Sequence, residues 1–386
     1  MPTSSLSSGL RRLLKPLRQV RYDVARVMSG RDAAAGGAKR ILLGTHDLSL
    51  SGAPRLVLEM ALILQRAGYD CRITSLRDGP MRSEFRDAGL PVVIETLADR
   101  RSGRLAREAS GAAAAIVNTV AAAPLAQGWG ASTAVLWYLH EVGLLHDMAR
   151  QPAIAAALRE VEALWAGSRL CADQIADIRP DTAIVPYGVP ALAAPPLPDD
   201  GDRLLRIGIF GSIERRKGQD LALAAFANLE SGIAQRLELH LFGRVLEADV
   251  AKEVDALVSR NPAVRYWGEL TPESYRARMA EMDAVLIPSR EDTLPLVSLD
   301  ALSAGKVLLT TRCVGTSAFV RDGVDAIIEA SADEASIGRL FARLDANRAA
   351  LAAIGAKARE SFAEHFSQDA FAERVLGQIR ALEKAA

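Results

Sequence analysis

The chain has 386 residues, too many for one ordinary domain and suited to two of about 150 to 200 residues each. Its 47 basic residues balance 47 acidic ones, so no global field draws nucleic acid, which is not expected as a partner, and any anion must be recognised locally. Cys71, Cys171 and Cys313 lie far apart with no CxxC pair, which suits a reduced intracellular protein better than a disulfide scaffold or a zinc site.

In chain order, residues 1–38 form a basic extension, with nine Lys or Arg against two Asp over residues 1–40. Two readings stand for it: a membrane-surface helix contacting anionic lipid through residues 1–36, or a solvated tail that Pro16 interrupts. No run of about 18 apolar residues is present to span a bilayer, and no signal-type apolar stretch opens the chain.

From residue 39 one unit repeats: a short run of Val, Ile and Leu, a turn, then an amphipathic helix. That rhythm predicts a parallel sheet covered by helices on both faces. Over 39–190 the expected strands are RILLGT (40–45), CRITSL (71–76), PVVIE (91–95), AIVN (115–118), AVLWYL (134–139) and ALWAG (163–167). The stretch 185–202 carries Pro186, Pro190, Pro195, Pro196 and Pro198 before an acidic turn, and reads as a hinge between domains. Over 203–365 the rhythm restarts with LLRIGIFG (204–211), LELHLFG (237–243), AVRYWG (263–268), AVLIPS (284–289), VLLTT (307–311) and AIIEA (326–330). Residues 366–386 read as a final helix, opened by Ser367 and presenting Phe371, Val375, Ile379 and Leu382 along the face that packs on a domain surface. The fold class is therefore α/β, with two Rossmann-like doubly wound sheets. Open sheets of this kind bind ligands in loops beyond the carboxyl ends of their strands.

Those loops hold the candidate site residues. In PSREDTLPLVSLDALSAGK, residues 288–306, Pro295 and Gly305 bracket a helix over about 294–304, with Glu291 and Asp292 before it and Asp300 inside it. The helix N-terminus favours phosphate, and a carboxylate there can accept hydrogen bonds from the adjacent hydroxyls of a sugar or ribose; capping by Asp292 and simple solvation of Asp300 is the competing reading. GSIERRKGQD, residues 211–220, places Arg215, Arg216 and Lys217 just past a strand, where they either grip a diphosphate or form a basic surface turn. Gly52, before a helix opened by Pro54, suits close approach to a ligand or an ordinary turn. His140, followed by Glu141, ends another strand, within reach of an acceptor hydroxyl or a phosphate if it is not simply structural.

Taken in order, SGAPRLVLEMALIL, VPYGV, GSIERRKGQDLALAAF, LHLFG, VRYWGEL, AVLIPSREDTLPLVSLDALSAGK and TRCVGTSAFVRDGVDAI resemble the retaining, nucleotide-sugar-dependent glycosyltransferases of family four, which have the GT-B fold. The resemblance covers residues 39 to about 375. It implies an acceptor domain over 39–190, a nucleotide-sugar domain over 203–365, and transfer of a sugar from a nucleoside diphosphate to a glycan or lipid-linked hydroxyl in the cytoplasm or at its membrane face. It implies no cofactor and no metal. Asp292 and Asp300 keep the spacing of the family's two glutamates, for the transferred sugar and the ribose, with Glu291 as a second candidate for the first role. Lys217 matches the diphosphate-binding lysine, and Ser212 stands where an arginine is usual, leaving Arg215 or Arg216 to supply the second positive charge. Gly52 matches a glycine near the donor phosphates, His140 a histidine lining the sugar, and Gly315 with Thr316 a loop whose amides meet sugar or phosphate. The alternatives are a sugar-nucleotide epimerase and a non-catalytic nucleotide- or glycan-binding relative in a polysaccharide assembly. A nicotinamide oxidoreductase is disfavoured because no GxGxxG follows the first strand of either half, and a retaining glycosidase because a loop-and-helix acidic pair beside a cationic turn suits a diphosphate better than a scissile glycosidic bond.

Overall fold

The computed structural model describes residues 39–95, 103–198 and 203–385. The basic extension expected over 1–38 lies outside the described residues, as does the acidic turn at 199–202.

Two parallel sheets carry the fold. The first has seven strands: β1 (Arg40–Thr45), β2 (Asp70–Ser75), β3 (Val92–Ile94), β4 (Ala114–Asn118), β5 (Val135–Leu139), β6 (Ala163–Ala166) and β7 (Ala183–Ile184), in the order β3-β2-β1-β4-β5-β6-β7. The second has six: β8 (Leu205–Phe210), β9 (Leu237–Phe242), β10 (Val264–Tyr266), β11 (Ala284–Ile287), β12 (Val307–Thr311) and β13 (Ala326–Glu329), in the order β10-β9-β8-β11-β12-β13. Every expected strand is present to within a residue or two. The seventh strand of the first sheet was not expected, because β7 is only two residues long and lies at the edge of the proline stretch.

The described helices of eight residues or more are α1 (Gly52–Arg66), α2 (Ala123–Gly130), α3 (Pro152–Glu160), α4 (Gln219–Ala227), α5 (Ala248–Val258), α6 (Pro272–Glu281), α7 (Leu296–Ser303), α8 (Glu334–Ala346), α9 (Leu351–His365) and α10 (Gln368–Ala385). The described residues form two compact units, one of those up to 137 together with 160–163 and 378–385, the other of those in 138–159 and 164–377. These boundaries differ from the division at the proline stretch: residues 138–159 and 164–190 count with the second unit.

In the first unit β1 is buried from Ile41 to Thr45, and α1 buries Leu56, Val57, Met60 and Leu64. In the second unit neighbouring residues along a strand point to opposite faces, as the pleat requires. Ile207, Ile209, Leu239, Leu286 and Leu309 pack with Phe226 of α4, Val254 of α5 and Phe341 of α8. Val285, Ile287, Leu308 and Ile328 pack on the other face with Met279 of α6, Leu302 of α7 and Phe362 of α9. Sheets buried on both sides read as continuous apolar runs, which is why the strands were visible in the sequence.

Over residues 185–194 the proline stretch is bonded rather than free. Val185 donates to the Ala166 carbonyl, Val189 to Phe366, and Leu192 to the Ser303 hydroxyl, while the Tyr138 hydroxyl donates to the Val185 carbonyl. Residues 185–194 are thus strapped to the second unit, contrary to the hinge expected from composition: proline removes donors but leaves carbonyls that side chains bind. The final helix is capped as expected, with Ser367 Oγ accepting from the Ala370 amide at 3.2 Å. Phe371, Val375 and Ile379 are buried, whereas Leu382 is partly exposed. Among the described residues no helix is long and apolar enough to cross a membrane.

Candidate active site

In the second sheet the chain passes from β8 outward to β9 and β10, then returns to place β11 on the other side of β8. The order reverses there, and a crevice opens beyond the carboxyl ends of β8 and β11. Residues 211–218 follow β8 and residues 288–295 follow β11, so the cationic and acidic stretches rim one crevice.

Gly218 has φ 72°, and a Cβ there would lie 2.1 Å from the Pro288 carbonyl oxygen. The two loops therefore meet backbone to backbone at a position that admits only glycine. Arg215–Lys217 form a single 3-10 turn. From it Lys217 Nζ reaches Asp292 Oδ2 at 2.6 Å, and Arg216 reaches the same oxygen at 3.4 Å and the Glu291 carbonyl at 3.3 Å. Arg215 is engaged elsewhere, bonding Asp220 at 2.8 Å and forking onto Glu253 at 2.7 and 3.0 Å. The three cations that sequence treats alike are thereby divided: Lys217 and Arg216 converge on the acidic loop, and Arg215 is committed to α4 and α5. Ser212 donates its hydroxyl to Glu214 at 2.7 Å. Arg216, which also pairs with Glu214 at 3.3 Å, is the second cation beside Lys217.

Glu291 and Asp292 face different partners. The Glu291 carboxylate accepts from the Gly143 amide at 3.3 Å, joining the loop to the turn after β5. Asp292 uses its backbone as well: its amide donates to the Cys313 carbonyl at 3.2 Å, and its carbonyl accepts from the Gly315 amide at 2.8 Å. The Gly315 amide, expected to meet sugar or phosphate, is thus spent on the Asp292 loop, and the Thr316 hydroxyl lies 2.5 Å from that of Ser298 inside α7. A Cβ on Gly315 would sit 1.8 Å from the Thr293 carbonyl oxygen and 2.5 Å from Ser168 Oγ.

His140 joins this cluster from the end of β5. Its ring lies 4.1 Å from that of Tyr138 and 6.0 Å from that of Tyr187, and the Tyr187 hydroxyl donates to the Leu294 carbonyl. Burial lowers the His140 pKa to about 3, so the imidazole is neutral at ordinary pH. Helix α7 begins two residues later than expected, with Pro295 in the capping position and no side-chain cap. Asp300 lies inside α7 and accepts the Tyr275 hydroxyl at 2.6 Å. Burial raises its pKa, and the Tyr275 bond partly offsets that rise. Gly52 belongs to the first unit, where it opens α1 with nothing within 4 Å of a Cβ position.

Sequence reasoning missed four contributors. Arg290, inside the acidic stretch 288–306, pairs with Asp220; its charge was the signal. Glu253 and Tyr275 sit mid-helix in α5 and α6 and carry no local signal, and Tyr187 was visible only as part of the proline stretch.

Comparison with known proteins fits this arrangement. Residues 37–189 match a model described as glycosyl-transferase family 4, and residues 205–347 match one described as glycosyl transferases group 1. The chain belongs to the group 1, family 4 glycosyltransferases. The enzyme is similar in fold to HepE of Anabaena, solved in complex with UDP and glucose, at 16% identity and TM-score 0.73 over 89% of this chain and all of that one. It is also similar to the sucrose-phosphate synthase of Thermosynechococcus elongatus (17%, TM-score 0.68, 90% and 100% covered). A third similar structure is the lipopolysaccharide outer core galactosyltransferase WaaB (12%, TM-score 0.68, 89% and 99% covered). At these identities the likeness establishes the GT-B fold. No curated protein sequence matches the glycosyltransferase.

Proposed function

We propose that the enzyme transfers a sugar, with retention of configuration, from a nucleoside diphosphate sugar to a hydroxyl of a glycan or lipid-linked acceptor, in surface polysaccharide or glycoconjugate synthesis on the cytoplasmic side of the membrane. The observation that carries this reading is the convergence of Lys217 and Arg216 on Asp292 at the strand-order reversal of the second sheet. Two cations beside a carboxylate suit a donor that presents a diphosphate next to sugar hydroxyls. UDP in the HepE structure supports a nucleotide donor.

In this scheme the bond from the anomeric carbon to the diphosphate oxygen breaks as the acceptor hydroxyl adds on the same face, and the acceptor proton passes to the departing diphosphate. Lys217 and Arg216 stabilise the charge that develops on the leaving group, the kind of preorganised electrostatics that contributes most to many enzymes. Asp292 binds sugar hydroxyls, and the Asp300 oxygen not held by Tyr275 accepts from the ribose. Neutral His140 hydrogen-bonds the transferred sugar and takes no proton. No step requires a metal.

A thermal-shift panel of UDP, GDP, ADP and TDP tests the reading. One diphosphate stands out, stabilising by about 2.7 kcal/mol at 100 times its dissociation constant. Lys217→Ala loses most of that gain. Equal, negligible shifts for all four, or an unaffected Lys217→Ala, refute it.

A further inference from the structure

Arg290 bonds none of the side chains assigned to donor or acceptor, yet its bonds end on the turn that carries the phosphate cations. Its guanidinium forks onto Asp220 at 2.9 and 2.8 Å, and the same Nη1 reaches the Arg215 carbonyl at 2.5 Å. Its backbone amide donates to the Arg216 carbonyl at 2.9 Å. Asp220, in the first turn of α4, is bonded also by Arg215, whose other fork closes on Glu253 of α5. Two consecutive carbonyls of the 215–217 turn therefore terminate on one residue of the opposite loop, and a relay Glu253–Arg215–Asp220–Arg290 anchors the turn to two helices.

The charges explain why such an anchor is needed. Arg215, Arg216 and Lys217 are consecutive, and like charges this close repel. A turn carrying them stays compact only where anions and carbonyl acceptors hold it. Asp220 is well suited: burial pushes its pKa up, but hydrogen bonds from Arg290 and Arg215 outweigh burial and hold the carboxyl below its ordinary value. A planar fork fills both Asp220 oxygens and the Arg215 carbonyl together, whereas a lysine ammonium supplies a compact point charge without that geometry.

We propose that Arg290 is a positioning residue for the donor diphosphate, acting through the 215–217 turn to aim Lys217 and Arg216. This rests on the phosphate role given to Lys217 above. The test is titration of inorganic pyrophosphate, of the four nucleoside diphosphates and of the matching nucleosides into the wild type and into Arg290→Met, Arg290→Lys, Asp220→Asn, Lys217→Ala and the Arg290→Met/Lys217→Ala double variant. Arg290→Met is expected to weaken pyrophosphate and the preferred nucleoside diphosphate about tenfold or more while leaving the matching nucleoside within about twofold. Arg290→Lys recovers only part of the loss, and Asp220→Asn repeats the pattern with a variant that keeps the side-chain shape. Because Arg290 acts through Lys217 as well as Arg216, the double variant loses less affinity than the sum of the two single losses. Equal losses for nucleoside and diphosphate mark general damage and overturn the proposal, as does full additivity in the double variant or wild-type affinity in both Arg290→Met and Asp220→Asn. If Lys217→Ala keeps full diphosphate affinity, the phosphate reading itself fails, a result separable from failure of the Arg290 role alone.

Discussion

Asp300 illustrates how a side chain proposed to hold the ribose sits against stability. It is mostly buried inside α7, with one oxygen bonded to Tyr275, and burial holds its folded pKa above the ordinary carboxyl value. A carboxyl with a raised folded pKa favours folding while it is protonated, below its unfolded value near 3.9, and that contribution is lost as pH rises through the folded value. At neutral pH the ionised group is therefore a destabilising one. Asp300→Asn, which keeps an acceptor for Tyr275, should raise the melting temperature at pH 7, and the gain should vanish below about pH 4; it should also weaken the preferred nucleoside diphosphate more than pyrophosphate. A melting temperature unchanged at both pH values contradicts the burial argument, and unchanged nucleotide affinity contradicts the ribose role.

At the scale of elements, the site is built from loops locked by main chain. Gly315 shows the cost of disturbing them, since a Cβ there overlaps the Thr293 carbonyl and the Ser168 hydroxyl. Gly315→Ala should destabilise by about 1–3 kcal/mol, lowering the melting temperature by several degrees, and should displace Asp292 with it. Gly52→Ala, whose Cβ meets nothing within 4 Å, should melt with the wild type; a comparable loss in both would show that packing is not the cause. The strands and these loops were legible in the sequence because buried parallel strands are continuous apolar runs, and because Gly, Pro and clustered charge mark the loops at their carboxyl ends. Partner choice was not legible. Nothing in RRK distinguishes Arg215 from Arg216, because Glu253 and Asp220 decide it from α5 and α4. The anchoring of the proline stretch likewise depends on Tyr138 and on backbone groups distant in sequence.

At the scale of the whole molecule, the overall charge is balanced, yet residues 1–36 carry seven Arg or Lys against two Asp. If that stretch holds the enzyme on anionic lipid, deleting residues 1–36 should abolish sedimentation with phosphatidylglycerol vesicles at low salt, with the melting temperature and diphosphate binding unchanged; undiminished sedimentation of the shortened chain removes the idea. The same scale gives meaning to the bonds Arg290 N–H to Arg216, Asp292 N–H to Cys313 and Gly315 N–H to Asp292. All three run between peptide groups, which every residue but proline carries in full. Outside the close approaches at Gly218 and Gly315, the frame of the crevice therefore tolerates most replacements, so side chains there can drift and specialise without rebuilding it. Sequences only 12–17% identical can in this way share one architecture.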